Sequence, residues 1–255
     1  MNGLFKLGTF FQFLGKNKAY TFIDVFGLAV SLMFVILIGI YTMQELSTDK
    51  FHKNGDRIYV LGNQENLENA YRIAGHIQER YPEIEKACPV IPWGENTSVS
   101  IGENKLNVER LLFVEPDFFN FFSFKLYDAD PAQVLSASNY AVISKTFARK
   151  AFGDRDPLGE TIKLKDDLSV IVNGVMDDIK NSTVPYCDIL VPVGNIKYFN
   201  EAMDRETFDN AACAYIFLLE KEGADLKAKA GDMENFFKEI FWIYKRGIRN
   251  GVTFT

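Results

Sequence analysis

The sequence predicts an α+β fold: one transmembrane helix followed by a mixed α+β domain outside the cytoplasm. Three observations carry this reading. Val25 to Gln44, VFGLAVSLMFVILIGIYTMQ, runs for twenty residues without a charge. After it, short segments rich in β-branched and aromatic residues recur between turn-forming clusters. Between those segments stand a few stretches with the 3.6-residue apolar period of a helix.

The span follows from length. At roughly 1.5 Å per residue, a twenty-residue helix covers about 30 Å, the thickness of a bilayer's hydrocarbon core. Only Ser31 and Thr42 interrupt it, and Gly27 and Gly39 are the small residues common in membrane helices. The run is longer than the core of a signal peptide, and YTMQELSTDK beyond it offers no cleavage site. The expected boundaries are an interfacial amphipathic helix at 1–18, a transmembrane helix at 19–45 and an extracytoplasmic domain at 46–255. In the first segment Leu4, Leu7, Phe10, Phe11 and Leu14 share a face, with Lys6 and Lys16 elsewhere, which suits a helix lying among lipid headgroups. The other reading of 1–18 is an N-terminal extension of the span. Lys6, Lys16 and Lys18 before the span balance Lys50, Lys53 and Arg57 after it, so the free amino terminus decides for the N-terminus inside.

Beyond the span no Ser/Gly/Pro-rich linker intervenes, so the outer domain is expected to be joined stiffly to the helix. RIYVLG at 57–62 reads as a strand. Leu67, Ala70, Tyr71, Ala74, Ile77 and Tyr81 then recur at helical spacing up to Pro82. KACPVIP, TSVSI, NVERLLFV and YAVIS follow as strands. SKTFARKAFG at 144–153 has a capping serine and a terminal glycine, the two ends of a short helix. ETIKL and LSVIVNGVM form a hairpin around Asp166-Asp167, CDILVPV and CAYIFLLE are further strands, and 224–245 is a last helix.

The chemistry is expected to be sparse. With 255 residues, 47% of them apolar, a core is assured, and the net charge of −6 argues against a nucleic-acid partner. Cys88, Cys187 and Cys213 lack zinc-ligand spacing and stand as either one disulfide with a free thiol or three thiols. Asp154, Asp156 and Gly159 in DRDPLG imitate the start of a calcium loop, but Leu158 and Lys165 occupy ligand positions, whereas Asp156-Pro157-Leu158-Gly159 suits a type I turn. Ser47-Thr48-Asp49-Lys50 matches SxxK without the companion motifs of a penicillin-binding enzyme. There is no phosphate loop, nucleophile elbow or HExxH. No catalytic, cofactor-binding or metal residue is therefore nominated, and no cofactor. Phe118, Phe119, Phe121, Phe122 and Phe124 are read as core, the alternative being an exposed cluster for apolar cargo or membrane contact.

In order and spacing, FIDVFGLAVSL, QELSTDKFHKNGDRIYV, RYPEIEKA, FVEPDFFNFFSFKLYDADP, YAVISKTFARKAFGDRDPLGETIKL and VNGVMDDI resemble ABC-transporter permeases of the macrolide-exporter (MacB) and FtsX type, in the long form typical of Bacteroidetes. The likeness covers roughly residues 1 to 190. It implies a MacB-like periplasmic core domain inserted after a first span in the bacterial inner membrane. It also implies a separate cytosolic ABC ATPase, pairing of permeases as homo- or heterodimers, contact with membrane lipid and a periplasmic adaptor. Further spans are expected after such a domain, so a chain stopping at GVTFT would be a truncated permease. The competing function is a single-span extracytoplasmic binding or sensor module. An enzyme ranks third.

Overall fold

A computed structural model describes residues 16, 18–94, 97–204 and 213–255. The segment expected to lie in the membrane interface, 1–18, falls outside the described residues except for Lys16 and Lys18. The chain divides into two compact units between Thr48 and Asp49. The first holds helix α1 (Lys18–Ser47), 30 residues with no buried side chain. Its length is about 45 Å, more than the ~30 Å of a hydrocarbon core, so it is long and apolar enough to cross a membrane. Within it the Ser31 hydroxyl donates to the Gly27 carbonyl at 2.8 Å, which satisfies the one polar side chain in the middle of the run.

The second unit is built, in chain order, from β1 (Ile58–Gly62), β2 (Glu68–Asn69), α2 (Ile73–Arg80), β3 (Ile84–Trp93), β4 (Thr97–Ile101), β5 (Asn104–Val108), β6 (Leu111–Val114), α3 (Phe118–Phe121), β7 (Leu126–Tyr127), β8 (Tyr140–Ser144), α4 (Lys145–Phe152), β9 (Thr161–Lys165), β10 (Leu168–Met176), β11 (Ile189–Pro192), β12 (Ala214–Glu220), α5 (Ala230–Ile240), α6 (Trp242–Lys245) and β13 (Thr253–Phe254). All thirteen strands join one sheet in the order β13-β1-β12-β3-β6-β11-β8-β10-β9-β4-β5, with β2 beside β12 and β7 beside β10. The pairs β6/β11 and β8/β10 are parallel and the rest antiparallel, which makes the sheet mixed.

The two-residue period of the strands sorts the core. In β6, Leu111 and Phe113 face one side while Leu112 and Val114 face the other; β11 divides the same way into Ile189 and Val191 against Leu190. Both strands are buried at every position because both faces of the sheet are covered. On one face Phe147 and Phe152 of α4 pack near β4 and β9, and the helices α2, α5 and α6 pack over β1, β3 and β12. On the other lie the phenylalanines of 118–122 with Val134, Leu135 and Ile179. The phenylalanine cluster is therefore core, as expected: Phe118, Phe119, Phe121 and Phe122 are buried and only Phe124 is partly open. In β10 the alternation slips at a bulge between Val172 and Gly174, so that Val170 and Val172 face one side and Met176 the other. A Cβ on Gly174 would come within 2.6 Å of Val134 Cγ2, and glycine is what lets the bulge sit there.

Several elements differ from the sequence reading. The helix expected from Leu67 begins only at Ile73, because Asn69 pairs with Ala214 as part of β2 and its fully buried amide donates to the Leu61 carbonyl at 2.9 Å. The strand NVERLLFV is two strands, broken at Glu109-Arg110, where the Glu109 amide donates to the Asp188 carboxylate at 2.6 Å. The last helix breaks at Phe241, whose extended backbone returns Ile243 and Tyr244 to the core. Beyond it β13 pairs antiparallel with β1, and the buried Arg249 guanidinium ties this tail to the Glu68 carbonyl at 2.6 Å.

DRDPLG folds as a turn, one residue later than expected. The Leu158 amide donates to Asp156 Oδ1 at 3.0 Å, an Asx turn, and the Glu160 amide closes on the Pro157 carbonyl at 3.2 Å. Gly159, with φ +81°, takes the third corner, which is the glycine position of a type II turn. Upstream, Ser144 caps α4 by accepting from the Phe147 amide at 3.1 Å, and Gly153 ends it at φ 64°, ψ −122°, a region essentially reserved for glycine. Gly153→Val is expected to cost about 1–3 kcal/mol, whereas Asp156→Asn keeps the accepting oxygen and stays within about 0.5 kcal/mol of the parent. Thermal melts of the two variants check this; the reverse order would restore a metal-binding role for Asp156.

Candidate functional site: a clasp at the start of the outer domain

The residues that begin the second unit are held by four segments distant in sequence. Asp49 adopts φ 59° and Asn181 φ 51°, left-handed conformations that Asp and Asn tolerate better than other side chains. The Asp49 amide donates to the Asn181 carbonyl at 3.1 Å. Its carboxylate accepts from Ser182 Oγ at 2.5 Å and from the Thr183 amide at 2.9 Å. The ring of His52 approaches from the other side, with Nε2 3.4 Å from Asp49 Oδ1. Burial by itself would raise the Asp49 pKa, but the close approach of His52 and the hydrogen bonds from Ser182 and Thr183 outweigh it and lower it from 3.8 to about 2.

His52 is the hub of the second contact. Its Nδ1 accepts from the Ser123 amide at 3.0 Å, which leaves the ring proton on Nε2, toward Asp49. The Lys53 amide in turn donates to Ser123 Oγ at 2.8 Å. The imidazole sits among Phe51, Phe122 and Phe124, with ring centroids 4.1, 5.1 and 4.9 Å away. A third contact follows at Arg57, which donates to the Glu220 carbonyl at 2.8 Å and to Glu85 at 3.1 Å. Gly55 lets the turn close: a Cβ there would lie 2.9 Å from the Asp49 carbonyl oxygen. Residues 49 to 57 are thus fixed to the 121–124 loop, to the 181–184 loop and to the ends of β3 and β12. Nothing in this arrangement is a nucleophile with its base. What it does is tie Asp49, His52 and Arg57 to the rest of the domain through backbone and side-chain hydrogen bonds.

An open cleft of about 630 Å³ lies elsewhere, between α2 and the edges of β3 and β6. Lys86 and Asp117 form an ion pair on its wall. Burial raises the pKa of Glu115 against the opposing charges of Arg72 and Lys86. Its charges are mixed in sign, and its position suits a binding surface better than a reaction centre.

The residues singled out in the sequence are scattered. Asp154 and Asp156 are exposed, and among the described residues no group of three His, Cys, Asp or Glu is placed to hold a metal ion. Ser47 Oγ donates to the Gln44 carbonyl at 2.9 Å within α1, while Asp49 of the same tetrad anchors the clasp. All three cysteines are free thiols; Cys88 and Cys187 are fully buried, and burial pushes both thiols well up. The clasp residues Asp49, His52, Ser123, Ser182 and Thr183 were not nominated from the sequence. Their only signal there is the missing linker and the clustering of Ser, Thr and Asp, types that bond to nearby backbone, in STD at 47–49 and NST at 181–183.

A family profile described as the MacB-like periplasmic core domain matches residues 21–236. The chain belongs to the MacB-like periplasmic core domain family. No curated protein sequence matches it. Solved structures share the fold of this MacB-like domain at low identity. One is a domain of a protein assigned as a permease in Porphyromonas gingivalis, with 19% identity, a TM-score of 0.64, and 78% of this chain aligned to 90% of that one. The periplasmic region of MacB from Actinobacillus actinomycetemcomitans aligns at 11% identity and TM-score 0.56 over 78% of this chain and 88% of that one. The extracellular domain of the noncanonical ABC-type transporter YknZ from Gram-positive bacteria aligns at 13% identity and TM-score 0.54 over 78% and 99%. The resemblance seen in the sequence and the α+β class both hold. One apolar helix of membrane length followed by a MacB-like periplasmic-type domain fits a membrane protein with an extracytoplasmic domain.

Proposed function

We propose that the chain is part of the membrane (permease) subunit of an ABC transporter of the exporter or mechanotransmission type. In this reading α1 is a span of the bacterial inner membrane and the domain that follows it is periplasmic. A separate cytosolic ATPase supplies the chemistry, and its cycle reaches the outer domain as a movement of the membrane helices. Permeases pair as homo- or heterodimers, and a periplasmic adaptor meets the domain. The boundaries 1–18, 19–45 and 46–255 remain those of an interfacial helix, a span and the outer domain, and no catalytic, cofactor or metal residue is assigned.

The observation that carries the reading is the clasp. A tethered sensor needs only an anchor and gains nothing from locking its first nine residues to four separate segments; a domain that must follow a moving helix does. The cleft beside α2 is the feature that favours the alternative, a single-span binding or sensor module.

Orientation is the cheapest test. Cys88 is buried and cannot report it, so Ile248→Cys is used, at a side chain that is 63% exposed. A membrane-impermeant thiol reagent is expected to label this variant in intact spheroplasts. Labelling only after lysis would place the domain in the cytoplasm and end the proposal.

A further inference from the structure

The exposed face of the clasp carries a large apolar side chain. Four large apolar side chains of the outer domain stand exposed among the described residues: Phe51, Leu158, Tyr198 and Ile248. Only Phe51 lies close in sequence to α1. Thr48, Asp49 and Lys50 alone separate it from Ser47, so chain reach keeps it within about 15 Å of the helix end. The uncharged run ends at Gln44, and Glu45 to Ser47 therefore fall where headgroups begin.

Phe51 is 47% exposed, yet it is not loose: its ring rests on His52 and lies 5.5 Å from Phe124. Lys50 and Lys53, on either side, are exposed, while Asp49, the nearest acid, is turned inward to Ser182 and Thr183. A rigidly presented aromatic ring between two lysines, within chain reach of the headgroups, has the chemistry of an interfacial anchor: the ring suits the acyl-headgroup boundary and the ammonium groups suit lipid phosphates. We propose that Phe51, flanked by Lys50 and Lys53, docks the base of the outer domain onto the outer face of an anionic phospholipid bilayer. The contact rests on the reading of α1 as a span. It would give the clasp a second role, holding the domain in register with the membrane surface as the helix moves.

The test uses the full chain in nanodiscs of phosphatidylcholine with or without phosphatidylglycerol, each prepared with ordinary or with bromine-bearing acyl chains. Phe51→Trp adds one indole to the signal of Trp93 and Trp242 and keeps an aromatic ring against His52. Its added emission is expected to fall roughly twofold with brominated lipid, as for a ring at the interface, and that of Ile248→Trp to be unchanged. In the phosphatidylglycerol discs, Lys50→Gln with Lys53→Gln is expected to lower the quenching to the level seen in phosphatidylcholine alone. Emission at residue 51 that is quenched by aqueous iodide and not by brominated lipid would overturn the proposal. So would emission shielded from both, which would point to a protein partner on this ring. Extraction of the protein from membranes by alkaline carbonate would instead mean that α1 is no span, a failure of the underlying reading and distinct from an unquenched indole in an embedded protein.

Discussion

Phe122→Ala is expected to destabilise the outer domain by about 3–5 kcal/mol, the range for emptying a buried phenylalanine site. Phe122 is 1% exposed and has five aromatic neighbours: Phe118, Phe121, Phe124, Phe217 and His52, with centroids 4.7 to 5.7 Å away. These rings come from three directions, the 118–124 segment, the middle of β12 and the clasp, so no single backbone shift can fill the space. For a domain of this size the loss corresponds to a fall in melting temperature of about 6–20 °C. Loss of the ring also removes one wall of the His52 site. A drop of less than about 1 kcal/mol would mean that the cluster is not the packed centre described here.

Asp49→Asn carries the second large effect, and its pH dependence identifies the cause. The folded pKa of Asp49 is lowered from 3.8 to about 2, so the carboxylate's contribution is present above pH 3.8 and lost as pH falls from there to about 2. The shift corresponds to about 2 kcal/mol. At neutral pH the variant should be less stable than the parent by about that amount, because one carboxylate oxygen becomes an NH₂ group that cannot accept from Ser182 or Thr183. At the acid end of the window the two proteins should converge. Denaturant titrations at several pH values measure this directly, and a difference independent of pH between 7 and 2 would show that the carboxylate charge is not what holds the clasp.

Most of the sheet was legible in the sequence because strand patterning is a local signal: ETIKL and LSVIVNGVM alternate as their burial does, and YAVIS is the short, mostly apolar run of a strand buried on both faces. Helix α4 was legible for the same reason, with Ser144 and Gly153 marking both ends. Where the reading failed, a distant partner had overridden local preference. Leu67 and Ala70 continue the helical period of Ile73 and Ile77, but pairing with β12 draws Glu68 and Asn69 into the sheet. Phe241 continues the period of α5, yet its burial is achieved by leaving the helix. The strand β13 is only two residues long and has no pattern to detect.

The clasp was illegible for a different reason. Asp49 meets Thr183 across 134 residues, and Lys53 meets Ser123 across 70. Each is a common polar residue with no spacing rule to the other, and a single sequence cannot relate them. What the sequence did carry was the absence of a flexible linker after the span, and the clasp gives that absence its physical content.

Amide hydrogen exchange on the full chain in a membrane mimetic tests the central idea most directly, that residues 49 to 57 move only with the sheet. The amides of Lys53 and Thr183, together with those of His52, Gly55 and Arg57, should exchange as slowly as the paired amides of β1 and β12, because releasing them requires opening the clasp and with it the phenylalanine core. Exchange of 49–57 within seconds while β1 stays protected would reveal a hinge at the base of the domain and would contradict the proposed coupling of α1 to the sheet.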